Sequence, residues 1–196
     1  MSRKNVLVIM GSIRAGRICP TVAAWVASLG QSGAGLTCEL IDLAQWPLPM
    51  DDEPAIPAAG DYVQPHTRAW SEKVTGADAV IFVTPQYNWG YPAALKNAID
   101  HLYLEWRGKP AAIITYGGHG GTKCAAQLRQ VAEAVKMRVV PTMPAICLSD
   151  DVIRRGAPVH PEPDFEAHLP SVKQALQELA DCMDRRVGCG YEGLIG

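Results

Sequence analysis

The chain has 196 residues, 48% hydrophobic and 19% charged, with a formal net charge of −2. That length suits one domain with a full core, expected over residues 1–190, with 191–196 as a mobile tail. The near-neutral balance gives no electrostatic reason to expect nucleic acid or an anionic membrane as partner.

The first apolar run, Val6 to Met10, reads as a buried strand. It is too short for a membrane span and lacks the core and cleavage pattern of a signal peptide, so a cytoplasmic location is expected. Pro20 to Leu29 has Val22, Trp25, Val26 and Leu29 on one helical face. Thr37 to Leu43 is a second strand, followed by a Pro-rich loop from Pro47 to Pro57 and a helix over Thr67 to Val74. Ala79 to Thr84 is the most strand-like run and stops at Pro85. Pro92 suits a first helical turn, where its missing N–H costs nothing, and predicts a helix reaching Trp106. Ala111 to Tyr116 is a fourth strand, Thr122 to Met137 a helix, and Val139 to Leu148 a fifth strand interrupted by Pro141 and Pro144. A last helix is expected over Phe165 to Arg186, before a Gly-rich stretch from Gly188.

Strands alternating with helices predict an α/β three-layer sandwich, with a five-stranded parallel sheet between helices. In such sheets ligands bind beyond the carboxyl ends of the strands, where strand order reverses. The loops after strands one, three and four therefore carry the functional reading.

The first is Gly11-Ser12-Ile13-Arg14-Ala15-Gly16-Arg17. A small hydroxyl-bearing turn before a helix presents backbone N–H groups and a partial positive charge to an anion. Arg14 and Arg17 add forked donors suited to phosphate. An ordinary turn with two surface arginines fits the same residues. This loop carries neither GxGxxG nor GxxxxGK[ST], which removes the common dinucleotide and nucleotide loops. Cys19 has no arginine six residues on, against a cysteine phosphatase. Its place near a helix start is one that lowers a thiol pKa, although an incidental thiol is the plainer reading.

The second loop, Thr84-Pro85-Gln86-Tyr87-Asn88-Trp89-Gly90-Tyr91-Pro92, has three aromatics that can line a flat ligand or simply pack over the sheet end. The third, Tyr116-Gly117-Gly118-His119-Gly120-Gly121, has four glycines in five residues. Glycine permits close backbone approach and positive φ, and a loop so rich in it is destabilising unless something requires it. His119 is either a donor to the ligand or a solvent-exposed bystander. Together the loops describe a mononucleotide site.

The six cysteines, at 19, 38, 124, 147, 182 and 189, include no CxxC pair and no Cys/His cluster at zinc-ligand intervals. Free thiols and no metal site are expected.

The motifs Gly11-Ser12-x-Arg14, Pro85-x-Tyr87-Asn88, Pro92-x-x-Leu95-Lys96-Asn97-Ala98-Ile99-Asp100 and Tyr116-Gly117-Gly118-x-Gly120-Gly121 resemble the NADPH-dependent FMN reductase family, over roughly residues 5 to 150. Arg17-Ile18-Cys19-Pro20 and the stretch from His101 to Pro110 look closest to its fungal quinone reductases. The resemblance implies a flavodoxin-like fold with strand order 2-1-3-4-5, non-covalent FMN, and NADPH or NADH as electron donor. It implies a homodimer or homotetramer whose partner approaches the flavin, with Leu95 to Asp100, Tyr103 and Trp106 at the interface. Ser12, Arg14 and Arg17 would hold the FMN phosphate. Pro85, Gln86, Tyr87, Asn88 and Trp89 would run along the ring, and Tyr116, Gly117, Gly118, His119 and Gly120 would contact it from the other side. The flavin carries the chemistry in such enzymes, so no catalytic side chain is assigned. Electrons would pass from NADPH to an acceptor in two separate steps. A quinone is the acceptor best supported by the resemblance, with free flavins, azo compounds and metal oxyanions alongside. The same loops would also serve a non-enzymatic flavin-binding electron carrier or redox sensor acting through a protein partner.

Overall fold

The computed structural model describes residues 4–185. The expected tail from Gly188 and the helical end at Arg186 lie outside the described residues.

The strands β1 (Lys4–Met10), β2 (Leu36–Asp42), β3 (Ala79–Pro85) and β4 (Pro110–Gly117) are parallel, in the order β2-β1-β3-β4. The three inner strands are near-continuous apolar runs, as strands covered on both faces must be. Their side chains alternate between two cores. Val6, Val8, Ile81, Val83, Ala112 and Ile114 face one way, against α1 (Cys19–Gly33) and α7 (Leu169–Asp184). Leu7, Ile9, Val80, Phe82, Ala111 and Ile113 face the other way, against α2 (Pro65–Thr75), α3 (Ala93–Asp100) and α4 (Thr122–Ala134). The sheet order is the flavodoxin-like one.

The fifth strand is two pieces, β5 (Arg138–Val139) and β6 (Ala145–Cys147), paired to opposite ends of β4. Pro141 and Pro144 cause the break, because each lacks a ladder donor and forces its predecessor out of register. Val140 N–H still donates to Ala111 O, and Pro144 O accepts from Thr115 N–H, so both pieces stay on the sheet. Glu178 on α7 closes the gap. Its carboxylate accepts from Thr142 N–H (2.9 Å) and Thr142 Oγ1 (2.7 Å). Partial burial pushes this carboxyl up, but the Thr142 and Gln174 donors outweigh it and hold the pKa below its ordinary value. A depressed folded-state pKa gives stability above the unfolded value that is lost as pH falls through the folded one. Glu178→Gln should therefore cost about 1 kcal/mol at neutral pH and flatten the acid limb of a stability-against-pH curve, read by urea midpoints.

Three helical expectations change. α3 ends at Asp100 rather than Trp106, because Leu102 and Trp106 turn back into the core. A single 3₁₀ turn over Leu104–Trp106 follows, with Trp106 Nε1 donating to Ile99 O at 3.0 Å. α4 stops at Ala134, with Lys136 at φ 66° beyond it. The last helix starts at Leu169, after two short helices, α5 (Asp150–Arg155) and α6 (Pro161–Phe165), which periodicity does not reveal. Among the described residues no helix is long and apolar enough to cross a membrane.

Candidate active site

The three loops leave the carboxyl ends of β1, β3 and β4, which are adjacent in the sheet. β1 and β3 flank the point where strand order reverses. The chain thus brings residues 11–17, 85–91 and 117–121 to one edge.

Gly11 anchors the first loop. Its N–H donates to Val83 O, and a Cβ there would lie 2.9 Å from Thr84 Oγ1. Ser12 is fully buried, with Oγ 2.7 Å from Tyr87 Oη, which ties the first loop to the second. Ser12 Oγ also accepts from Arg14 N–H, and the Arg14 guanidinium lies 4.0 Å from the centre of the Tyr87 ring. Beyond the loop α1 begins with no side-chain cap and no acidic residue in its first turn. Pro20 has no N–H and Thr21 N–H turns to Ile18 O, so it is chiefly the positive dipole end that is left for an outside anion.

The two arginines are placed differently. Arg14 is exposed, whereas Arg17 directs Nη2 onto the Asp42 carboxylate at the end of β2. Arg17 Nε is buried and has no acceptor. Asp42 as an arginine partner is invisible in sequence, since 25 residues separate them.

The second loop is a tight two-residue turn. Tyr87 and Gly90 exchange N–H···O bonds of 2.8 and 2.9 Å, with Asn88 at φ 47° and Trp89 at φ 74°. Both central residues have positive φ, which favours Asn-Gly in such turns. Asn tolerates this, but tryptophan there is strained. Trp89 is also 60% exposed, with Lys123 Nζ 3.4 Å from its ring centre. Nothing in the sequence marked Lys123, an ordinary position in the first turn of α4. Pro85 ends β3 and is buried, and Gln86 is structural on both ends. Its N–H donates to Tyr116 O, and its Oε1 accepts from Cys124 N–H. Tyr91 is half-buried, and burial lifts its phenol to about 12.

In the third loop Gly117 O accepts from Gly120 and Leu148 N–H, while Thr115 Oγ1 donates to Gly120 O. A Cβ on Gly117 or Gly118 would meet nothing within 4 Å, whereas one on Gly120 would lie 2.8 Å from Ala145 O. Gly120, at φ 73°, thus closes the loop against β6, and Gly117 and Gly118 leave a bare backbone ledge. His119 sits exposed on that ledge. Tyr116 is buried beneath it, its phenol pushed far up by burial and then by Cys19.

The Cys19 thiol is fully buried and donates to Val83 O at 3.3 Å. Burial raises its pKa, outweighing the lowering from Tyr116, Ser12, Gly11 and Arg17. The lowered pKa suggested by its place near a helix start does not occur. Burial also lifts Cys38 to about 11 and Cys124 to about 12. Iodoacetamide at about pH 8 should therefore label exposed Cys147 on the folded chain and spare Cys19, Cys38 and Cys124, read by peptide mass spectrometry.

Of the helix expected at an interface, Leu95, Ile99 and Trp106 are fully buried within the chain itself. They belong to its core, so α3 has Ala93, Lys96 and Asp100 exposed instead.

A phosphorylated flavin fits these residues. The uncapped start of α1, the exposed Arg14 and the acceptor-less Arg17 Nε suit a phosphate. The side-chain-free ledge at Gly117 and Gly118 suits a flat ring.

Residues 4–149 match the family described as NADPH-dependent FMN reductase. An NAD(P)H-dependent FMN reductase of Schizosaccharomyces pombe is 52% identical over 182 residues, covering 92% of this chain and 90% of that protein. One from Saccharomyces cerevisiae is 42% identical over 194 residues, covering 90% and 95%. A quinone reductase of Escherichia coli is 31% identical over 140 residues, covering 67% and 71%. Among solved structures, an NAD(P)H:(acceptor) oxidoreductase from Paracoccus denitrificans superposes with a TM-score of 0.70 at 23% identity, covering 93% of this chain and 98% of that one, which bears on the fold alone. The chain therefore belongs to the NADPH-dependent FMN reductase family and is an NAD(P)H-dependent oxidoreductase of flavodoxin-like fold that works with FMN.

Proposed function

We propose that the chain reduces quinones with electrons from NADPH or NADH, through FMN held on the three strand-end loops of a homodimer. The observation that carries this reading is the stitching of loops from adjacent strands into one rim, Ser12 to Tyr87 and Arg14 over Tyr87, beside a bare glycine ledge. The name of the Escherichia coli relative supports the quinone.

In this proposal the positive end of α1, Ser12, Arg14 and Arg17 hold the phosphate. Pro85, Gln86, Tyr87, Asn88 and Trp89 set one edge of the ring. Tyr116, Gly117, Gly118, His119 and Gly120 form the opposite wall. When bound, FMN supplies the two-electron chemistry, and no side chain need act as acid or base. The chain's own task is to orient ring, donor and acceptor and to keep them in contact. Trp89, exposed and braced by Lys123, offers an aromatic face at the mouth. For the dimer, support comes from exposed Ile13, Met50 and Ile56 and from an apolar groove of about 260 Å³ between Trp46, Leu48, Ala93 and Ala94.

Steady-state NADPH oxidation at varied quinone tests this. Parallel double-reciprocal lines are expected, as donor and acceptor take turns at one site. Bleaching of bound flavin by NADPH without quinone-dependent turnover would show an electron carrier instead.

A further inference from the structure

Away from the three loops, the fold gathers Asp52, His66 and His101, one ligand atom from each lying within 4.8 Å of the others. They come from the loop after β2, the first turn of α2 and the residue after α3. We propose that these residues form a divalent transition-metal site of the zinc class, fastening the loop after β2 to α2 and α3.

Three observations carry the assignment. First, His66 Nε2 lies 2.8 Å from Asp52 Oδ2, yet the contact is not directed as a hydrogen bond. His66 Nε2 and Asp52 Oδ1 are both buried without a hydrogen-bond partner. A buried polar atom left unpaired is costly, and a cation between the two would satisfy both. Second, His101 is 6% exposed and already held as a ligand would be. Its Nε2 lies 2.9 Å from Pro49 O, which can only accept, so Nε2 carries the proton and Nδ1 the lone pair. Histidines that bind metals commonly donate their other N–H to a backbone carbonyl in this way. The Nδ1 partner is the Thr67 hydroxyl at 3.0 Å, whose oxygen has to give way to the ion. Third, the surroundings favour a cation. A cleft of about 590 Å³ beside the cluster is lined by Asp51, Asp52, Glu53 and His101, and by Asp100, which is paired with Lys96.

Two imidazoles and a carboxylate are ligands that suit zinc-class ions, and three protein ligands leave a position for water. Bonds of about 2.0–2.1 Å give a tetrahedral edge of about 3.3–3.4 Å, so closure requires a shift of about 1 Å or more at the widest pair. The scaffold restricts that shift to the side chains. Glu53 accepts from Val63 and Gln64 N–H, and Asp52 O accepts from Gln64 Nε2, which zips the Asp52 segment to the start of α2. Sequence spacing misses the site because its ligands are 14 and 35 residues apart. The site is independent of the flavin reading.

The test is a titration of the purified, tag-free, FMN-loaded chain with Co²⁺, alongside Asp52→Asn and His66→Gln, with stability in Zn²⁺ read by thermal melting. The proposal expects one saturable Co²⁺ with weak visible bands and no strong thiolate charge-transfer band. It expects a Zn²⁺-dependent rise in Tm, and both signals should be lost in each variant. In case a variant fails to fold, Zn²⁺ protection of His66 from diethyl pyrocarbonate on the unmodified chain gives the same answer. No saturable binding, binding that survives in folded variants, thiolate bands, or an unprotected His66 would each overturn it.

Discussion

Gly120→Ala should destabilise the chain by about 2–5 kcal/mol and with that release the flavin. The residue sits at φ 73°, where an alanine costs about 1–2 kcal/mol over glycine. The added Cβ would also lie 2.8 Å from Ala145 O and 3.0 Å from Ala145 Cβ. Both neighbours belong to β6, which is already a short strand held by three residue pairs to β4. Relieving the clash means moving the third loop or β6, at an overpacking cost of about 1–3 kcal/mol. For a chain of this size that lowers Tm by about 4–20 °C. Gly118→Ala is the internal control. Nothing lies within 4 Å of its Cβ, so stability should hold within about 0.5 kcal/mol while FMN affinity falls. Thermal melting and flavin titration of both variants separate closing the loop from lining the ring.

Arg14→Ala should weaken FMN binding by about 10- to 150-fold with little change in the stability of the flavin-free chain. A hydrogen bond to a charged group is worth about 1.5–3 kcal/mol, and each 1.4 kcal/mol is tenfold in affinity. Arg14 is exposed and its guanidinium lies over the Tyr87 face, so the fold should not depend on it. Arg14→Lys keeps the charge but loses the fork, and should fall between the two. Fluorescence titration of flavin into the stripped protein reads all three. Unchanged affinity in Arg14→Ala would remove this residue from the phosphate site.

The inner strands were legible because a sheet covered on both faces demands unbroken apolar runs, and Val6 to Met10 and Ala79 to Thr84 supply them. The ligand edge was legible for a related reason. Only a backbone that something approaches, or that must turn at positive φ, tolerates Gly117, Gly118, Gly120 and Gly121 in one loop. What sequence did not show depends on distant partners. The helix from Pro92 ends at Asp100 because Trp106 finds its place under Ile99 and against Phe82, a packing event that periodicity does not encode. The pairing of Arg17 with Asp42, and of Trp89 with Lys123, crosses between elements whose spacing says nothing of contact. Cys19 shows the same limit in its chemistry. Its place near a helix start suggested a lowered pKa, but the residues that bury it lie on other elements and raise it. Asp52, His66 and His101 are likewise brought together by elements distant in sequence.

The visible spectrum tests the central claim most directly. The purified chain, mixed with FMN and desalted, should keep a blue-region flavin band at one flavin per chain, and NADPH should bleach it under anaerobic conditions. A chain that stays colourless before and after FMN is added would contradict the reading of these three loops as a flavin site.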